Sequence, residues 1–155
     1  MDMELKIKAF EELSLHELYE IMRVRCAVFV VEQECVYQDI DGIDERAVHV
    51  FYEHENSIYG YLRLFYKDDD HRTVQIGRVL STERGRGFGL KVLHEGVQYA
   101  IETMKAETLY LEAQTYAIGF YQREGFVVVS DEFLEDGIPH VKMIRHIQQK
   151  ELHNH

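Results

Sequence analysis

Residues 73–104, TVQIGRVLSTERGRGFGLKVLHEGVQYAIETM, constrain the fold more than any other stretch of the chain. Val74, Ile76, Val79 and Leu80 form an apolar, largely β-branched run of strand length. Gly77 interrupts that run, and a glycine within a strand marks a bulge or a close backbone approach. Next comes Arg84-Gly85-Arg86-Gly87-Phe88-Gly89. Apolar residues then fall at Leu90, Leu93, Val97, Ala100, Ile101 and Met104, on one face of a 3.6-residue helix. The pattern is a strand, a tight glycine-rich turn and an amphipathic helix. Glycines here let successive backbone N–H groups point into one concavity, and the helix N-terminus adds partial positive charge. Arg84 and Arg86 set fixed cations beside it. Such a turn suits a phosphate-bearing ligand; the alternative is a plain turn ahead of a core helix.

Three phosphate-binding patterns compete for this turn. A Walker loop needs Lys followed by Ser or Thr after its last glycine, whereas Gly89 is followed by Leu90 and Lys91. A Rossmann fingerprint needs G-x-G-x-x-G, whereas Gly85, Gly87 and Gly89 are spaced G-x-G-x-G. The spacing that fits is Arg-x-x-Gly-x-Gly, carried by Arg84, Gly87 and Gly89.

The rest of the composition narrows the class. A chain of 155 residues with 46% hydrophobic content and one proline fits a single domain with a sizeable core. A formal net charge of −11 argues against a nucleic-acid partner and makes Arg78, Arg84, Arg86 and Lys91 a local basic exception. No apolar run reaches membrane-spanning length and the first residues do not read as a signal peptide, so no membrane partner is expected. Cys26 and Cys35 are too few for a disulfide framework, which makes a reducing, cytoplasmic setting the expectation. A homodimer is left open.

In chain order, residues 4–10 alternate as a first strand. Ser14-Leu15-His16-Glu17 is a capping box opening a helix predicted to end near Phe29. Residues 30–45 form a long acidic segment, and its Asp39, Asp41, Asp44 and Glu45 read either as a solvated loop or as a functional one. Strands are predicted at 47–52, 58–66, 109–113, 126–129 and 140–147, with a short helix at 115–123 capped by Gly125. Residues 148–155 are a polar, frayed tail. The order β-α-β-β-β-α-β-α-β-β describes a mixed α/β sheet with one parallel crossover, around residues 73–113.

Residues 114–126, QTYAIGFYQREGF, supply a second motif. Ala117, Phe120, Tyr121, Gly125 and Phe126 match the pattern Asn-x-x-Ala-x-x-Phe-Tyr-x-x-x-Gly-Phe, with Gln114 in place of the Asn. Together with the arginine–glycine turn, this resembles the GNAT superfamily of N-acetyltransferases. Residues 28–33 and 135–140 resemble its ElaA-like branch. The resemblance spans residues 4–147. It implies a splayed mixed sheet of roughly seven strands with helices on both faces, and acetyl-CoA lying where two parallel strands part. It also implies a pyrophosphate loop at Arg84, Gly85, Arg86, Gly87, Phe88 and Gly89, with Gln114 beside the cofactor.

Each implied role has a chemical reason. Thioester aminolysis develops an oxyanion, and by resemblance a strand N–H freed by the splay, at Val79 or Leu80, stabilises it. The departing thiolate needs a proton or a strong hydrogen bond. Tyr121 matches the family position for this acid, and a phenol of reference pKa ~10 stays protonated at neutral pH. Packing among the ten tyrosines is the other reading of Tyr121. The amine must lose a proton before it attacks. Glu32, His49 and His140 are candidate bases, with Glu32 and His140 favoured because they lie in the branch-like stretches. His146, His153 and His155 form no closed zinc set with the cysteines, so no metal is expected. Acidic segments at 39–45 and 131–136, placed on the acceptor side, would attract a cationic amine. The expected function is transfer from acetyl-CoA to a small or exposed primary amine. The alternatives are a non-catalytic acyl-CoA sensor, and an acyltransferase using another acyl group or an oxygen acceptor.

Overall fold

The structure is a computed structural model and describes residues 2–148 and 151. Most of the expected polar tail, with His153 and His155, lies outside the described residues. Strand β1 (Glu4–Ala9) leads into helix α1 (Leu15–Arg25), opened by the expected capping box. Ser14 Oγ accepts the Glu17 N–H at 3.0 Å, and Glu17 Oε1 accepts the Ser14 N–H at 2.8 Å. The helix does not stop near Phe29. It widens into a π-helical turn, Cys26–Glu32, which carries the chain farther and leaves Glu32 at its end.

Strands β2 (Val48–His54), β3 (Ser57–Tyr66) and β4 (Thr73–Ser81) then form an antiparallel meander. Helix α2 (Phe88–Glu102) crosses over to β5 (Thr108–Gln114), parallel to β4. Short helix α3 (Ile118–Gln122) precedes β6 (Val127–Val128), β7 (Phe133–Glu135) and β8 (Ile138–His146). The sheet order is β1-β2-β3-β4-β5-β8-β6, with β7 paired to β8, which makes eight strands among the described residues. The additional strand is β7. Asp136 and Gly137, both at positive φ, turn it into β8 as a two-residue hairpin. An Asp-Gly pair between strand-like residues is a strong hairpin signal, so β7 was readable in the sequence.

Strand alternation divides two apolar layers. Val50, Leu62, Leu64, Val74, Ile76, Leu109 and Leu111 face α2 and α3, meeting Leu93, Val97 and Ile101. On the opposite face, Phe51, Ile58, Tyr61 and Leu80 meet Ile21 and Val24 of α1. Ile76 and Leu80 are both even-numbered residues of β4, yet they face opposite layers. A β-bulge at Arg78, whose φ is +54°, inserts one residue and reverses the alternation.

Candidate active site

Strands β4 and β5 pair only from Thr73–Thr108 to Gln75–Tyr110, and then part. Beyond Gln75 the β5-facing edge of β4 has no strand partner. The β4 bulge sits at this opening, and a cavity of about 930 Å³ runs through it from one face of the sheet to the other. Gln75, Gly77 and Glu112 line it from the α1 side, while Ile76, Leu111 and Tyr121 line it from the α2–α3 side.

Seven of the predicted site residues meet in this cavity: Glu32, Val79, Leu80, Arg84, Gln114, Tyr121 and His140. Gln114 donates from Nε2 to Gln33 Oε1 at 3.2 Å. Tyr121 packs edge-on against Phe120 and Phe126. Burial, with a smaller contribution from Tyr116, pushes its phenol well above the usual value, so the hydroxyl keeps its proton. His140 is buried and stacks on Phe133. Its Nδ1 lies 2.7 Å from the Ile138 carbonyl, which only accepts, so in the neutral ring Nδ1 carries the proton and Nε2 the lone pair. Glu32 pairs with Arg84, and both side chains are largely exposed at the rim.

Gly85, Arg86, Gly87, Phe88 and Gly89 lie outside the cavity wall, at the start of α2. Gly85 (φ +78°) and Gly87 (φ +76°) adopt the left-handed backbone that favours glycine, and no atom lies within 4 Å of where either Cβ would stand. The first N–H groups of α2 have no intrahelical acceptor. Phe88 is buried between Tyr52 and Tyr59, which leaves only its backbone to meet a ligand. Arg86 pairs with Glu83 and stacks over the Tyr59 and Phe88 rings.

Residues 14–147 match the acetyltransferase (GNAT) domain family. The chain belongs to the GNAT family. Protein ElaA of Escherichia coli is 39% identical over 142 residues, covering 89% of this chain and 93% of ElaA. The crystal structure of E. coli ElaA superposes with a TM-score of 0.87 at 37% identity, covering 94% of this chain and all of that one. An acyl-CoA N-acyltransferase from Pseudomonas aeruginosa superposes with a TM-score of 0.84 at 36% identity, over 92% and 99% of the two chains. GNAT membership makes acyl transfer from an acyl-CoA the general chemistry of this chain. The splayed mixed sheet is the GNAT fold the sequence motifs implied.

Several residues stand differently from expectation. The acidic segment is not a solvated loop. Asp39 and Asp44 are buried, and Arg25, itself fully buried, meets Asp44 at 2.6 Å and Asp39 at 3.2 Å. Arg63 bridges Asp41 and Asp44, and Arg78 reaches Asp39 and Asp41. Burial disfavours the Asp41 carboxylate, but hydrogen bonds and charge from Arg63 outweigh that and bring its pKa down to about 2. Arg78 therefore belongs to this ion network and not to the phosphate turn. His49 lies away from the cavity, fully buried between the Tyr61 hydroxyl (2.7 Å) and the Asp44 carbonyl (3.0 Å). Burial lowers its pKa, and both nitrogens are engaged, so it is a structural residue. His146 Nδ1 meets Thr108 Oγ1, and among the described residues no His, Cys, Asp and Glu group could hold a metal ion. No helix among them is long and apolar enough to cross a membrane.

Sequence reasoning passed over Glu112, which lines the cavity together with Glu135 of the expected acidic segment 131–136. Leu109, Leu111 and Ala113 alternate with Tyr110, Glu112 and Gln114, so Glu112 shares a strand face with Gln114. That alternation was the available signal.

Proposed function

We propose that the chain moves an acetyl group from acetyl-CoA to a primary amine by direct attack in a ternary complex. One observation carries this reading. A single cavity, at the parting of β4 and β5, joins the unpaired β4 backbone, Tyr121 from one face of the sheet and His140 from the other. The free N–H groups of α2 and the open space over Gly85 and Gly87 fit the phosphates of an acyl-CoA. The likeness to the Pseudomonas aeruginosa acyl-CoA N-acyltransferase supports N-acyl transfer.

Bound acetyl-CoA supplies a thioester whose carbonyl carbon accepts the amine. The N–H of Val79 or Leu80 holds the developing oxyanion, being already oriented and free of a β5 partner. Tyr121 donates its proton, or a strong hydrogen bond, to the leaving sulfur. His140 Nε2 takes the proton of the amine. Glu32 is the weaker candidate base, because Arg84 already occupies its carboxylate. That pair is exposed and worth under about 1 kcal/mol, so a phosphate can draw Arg84 away from it. Free thiols at Cys26 and Cys35 support a reducing, cytoplasmic setting.

The test is a panel of primary amines offered with acetyl-CoA while free thiol is followed. Thiol release with matching N-acetyl product supports the reading. Tight acetyl-CoA binding without thiol release from any amine or alcohol makes the chain a sensor. Release that requires a longer acyl chain reassigns the donor.

A further inference from the structure

Glu112, Glu135 and His140 differ from the other charged groups in the cavity. Asp41 is held by Arg63 and Arg78, and Glu32 by Arg84. Among the described residues, Glu112 and Glu135 have no arginine or lysine at ion-pair distance. Glu112 Oε2 accepts the Tyr110 hydroxyl at 2.6 Å, and Glu135 Oε2 lies 3.5 Å from His140 Nε2. The register explains why they meet. Gln114 faces His140 across β5–β8, Phe133 faces His140 across β7–β8, and Glu135 faces Ile138. Glu112, Glu135 and His140 therefore project from three strands on the sheet face away from α2.

A second observation is independent of the carboxylates. His140 is only 7% exposed, and its proton is committed to the Ile138 carbonyl. In the neutral ring Nε2 is thus a buried acceptor on the cavity wall, 3.5 Å from Glu135, itself an acceptor when ionised. The wall offers three acceptor groups, and a primary ammonium carries three N–H donors. The remaining charges around them are Asp136 beside Glu135, Lys142 opposite Glu112 in the register, and Lys67, whose Nζ stands 4.9 Å over the Tyr110 ring. Burial and the hydrogen-bonded Glu112 raise the Glu135 pKa.

We propose that Glu112, Glu135 and His140 form the ammonium subsite of the acceptor, binding a primary alkylammonium group. No covalent bond changes in this binding step. From that position His140 Nε2 can take an N–H proton and free the nitrogen lone pair for attack. The inference rests on reading this cavity as an amine-acceptor site, and it names the class: unhindered aliphatic primary amines, cationic at neutral pH.

The experiment uses the full chain with 13C-labelled glutamate carboxyls, titrated with 1-aminobutane and, as the uncharged control, butan-1-ol. Butylammonium should move the Glu112 and Glu135 signals saturably, and butan-1-ol should not. Affinity, measured by calorimetry, should fall as the pH is lowered, because carboxyl protonation competes with the cation. Glu112→Gln or Glu135→Gln should weaken butylammonium about tenfold or more, whereas Glu132→Gln, an exposed acid of the neighbouring loop, should not. If Glu112→Gln does not fold, Glu135→Gln on the short outer strand carries the same comparison. Absent signal shifts, or binding that ignores both Gln variants, overturns the subsite. Continued thiol release from acetyl-CoA at unchanged amine KM in both variants also overturns it while sparing N-acyl transfer. Butylammonium binding without thiol release from any amine leaves the subsite and removes the transferase reading.

Discussion

Tyr121 is packed among aromatic rings and still faces the cavity where acyl transfer is proposed. Its ring completes an aromatic cluster with Phe120 and Phe126, while the same residue lines the cavity where β4 and β5 part. Tyr121→Phe keeps the ring and deletes only the hydroxyl. Folding and acetyl-CoA affinity should survive, and turnover should fall by about 10²-fold, the usual scale for general acid catalysis. Steady-state kinetics on both proteins decide it: equal turnover removes the hydroxyl from the rate-limiting step. The motif that singled out Tyr121 and Gln114 was legible because its spacing is local. Glu112 was harder to see, since its importance comes from β7 and β8, more than twenty residues away in the chain.

At the scale of elements, α2 depends on a close backbone approach that no periodicity records. A Cβ on Gly60 of β3 would stand 2.9 Å from the Phe88 carbonyl oxygen, at the first residue of α2. Backbone cannot yield as a side-chain tip can, so Gly60→Ala must displace the helix start. We expect a stability loss of about 1–3 kcal/mol, the range for overpacking, together with weaker acetyl-CoA binding. Denaturant unfolding and calorimetry measure the two effects separately. A variant that is destabilised but binds acetyl-CoA as before would detach the start of α2 from phosphate recognition. The bulge at Arg78 is the other element-level device. Gly77 marked it in the sequence, but the left-handed residue is Arg78, and its guanidinium is anchored by Asp39 and Asp41.

Across the whole molecule, five carboxylates are gathered into two buried and half-buried ion networks. One joins Lys6 and Lys8 of β1 to Glu17 of α1, with Glu53 of β2 also on Lys6. The other ties the segment after the π-turn to Arg25, Arg63 and Arg78. Burial opposes the Glu17 charge, but hydrogen bonds from Lys6, the Ser14 backbone and Lys8 prevail and lower its pKa from 4.5 to about 2. Asp41 is lowered from 3.8 to about 2. Carboxyls with depressed folded-state values stabilise the fold fully above their ordinary pKa, and that contribution is lost as pH falls through the folded-state value. Acid unfolding, followed by circular dichroism, should therefore develop between about pH 4.5 and pH 2. Asp44→Asn leaves Arg25 and Arg63 short of a buried partner, and should cost about 3–5 kcal/mol in denaturant unfolding. A cost near zero would mean that the network contributes nothing net.

The sequence by itself determined the strand–turn–helix core, the parallel crossover, the α1 cap and the two motifs. These depend on local periodicity, on glycine conformation and on side chains a few residues apart. Only the tertiary structure decided where the charges go. Asp39 and Asp44 look like loop residues until Arg25, from a helix, and Arg63, from a strand, arrive to neutralise them. His49 and His140 are both candidate bases in the sequence, and only the resemblance of residues 135–140 favours the second. Sheet register buries one between Tyr61 and the Asp44 carbonyl, and sets the other at the cavity with Glu112 and Glu135. Electrostatic environment is set by distance in space, and in a mixed sheet the strands that share a wall are far apart in the chain.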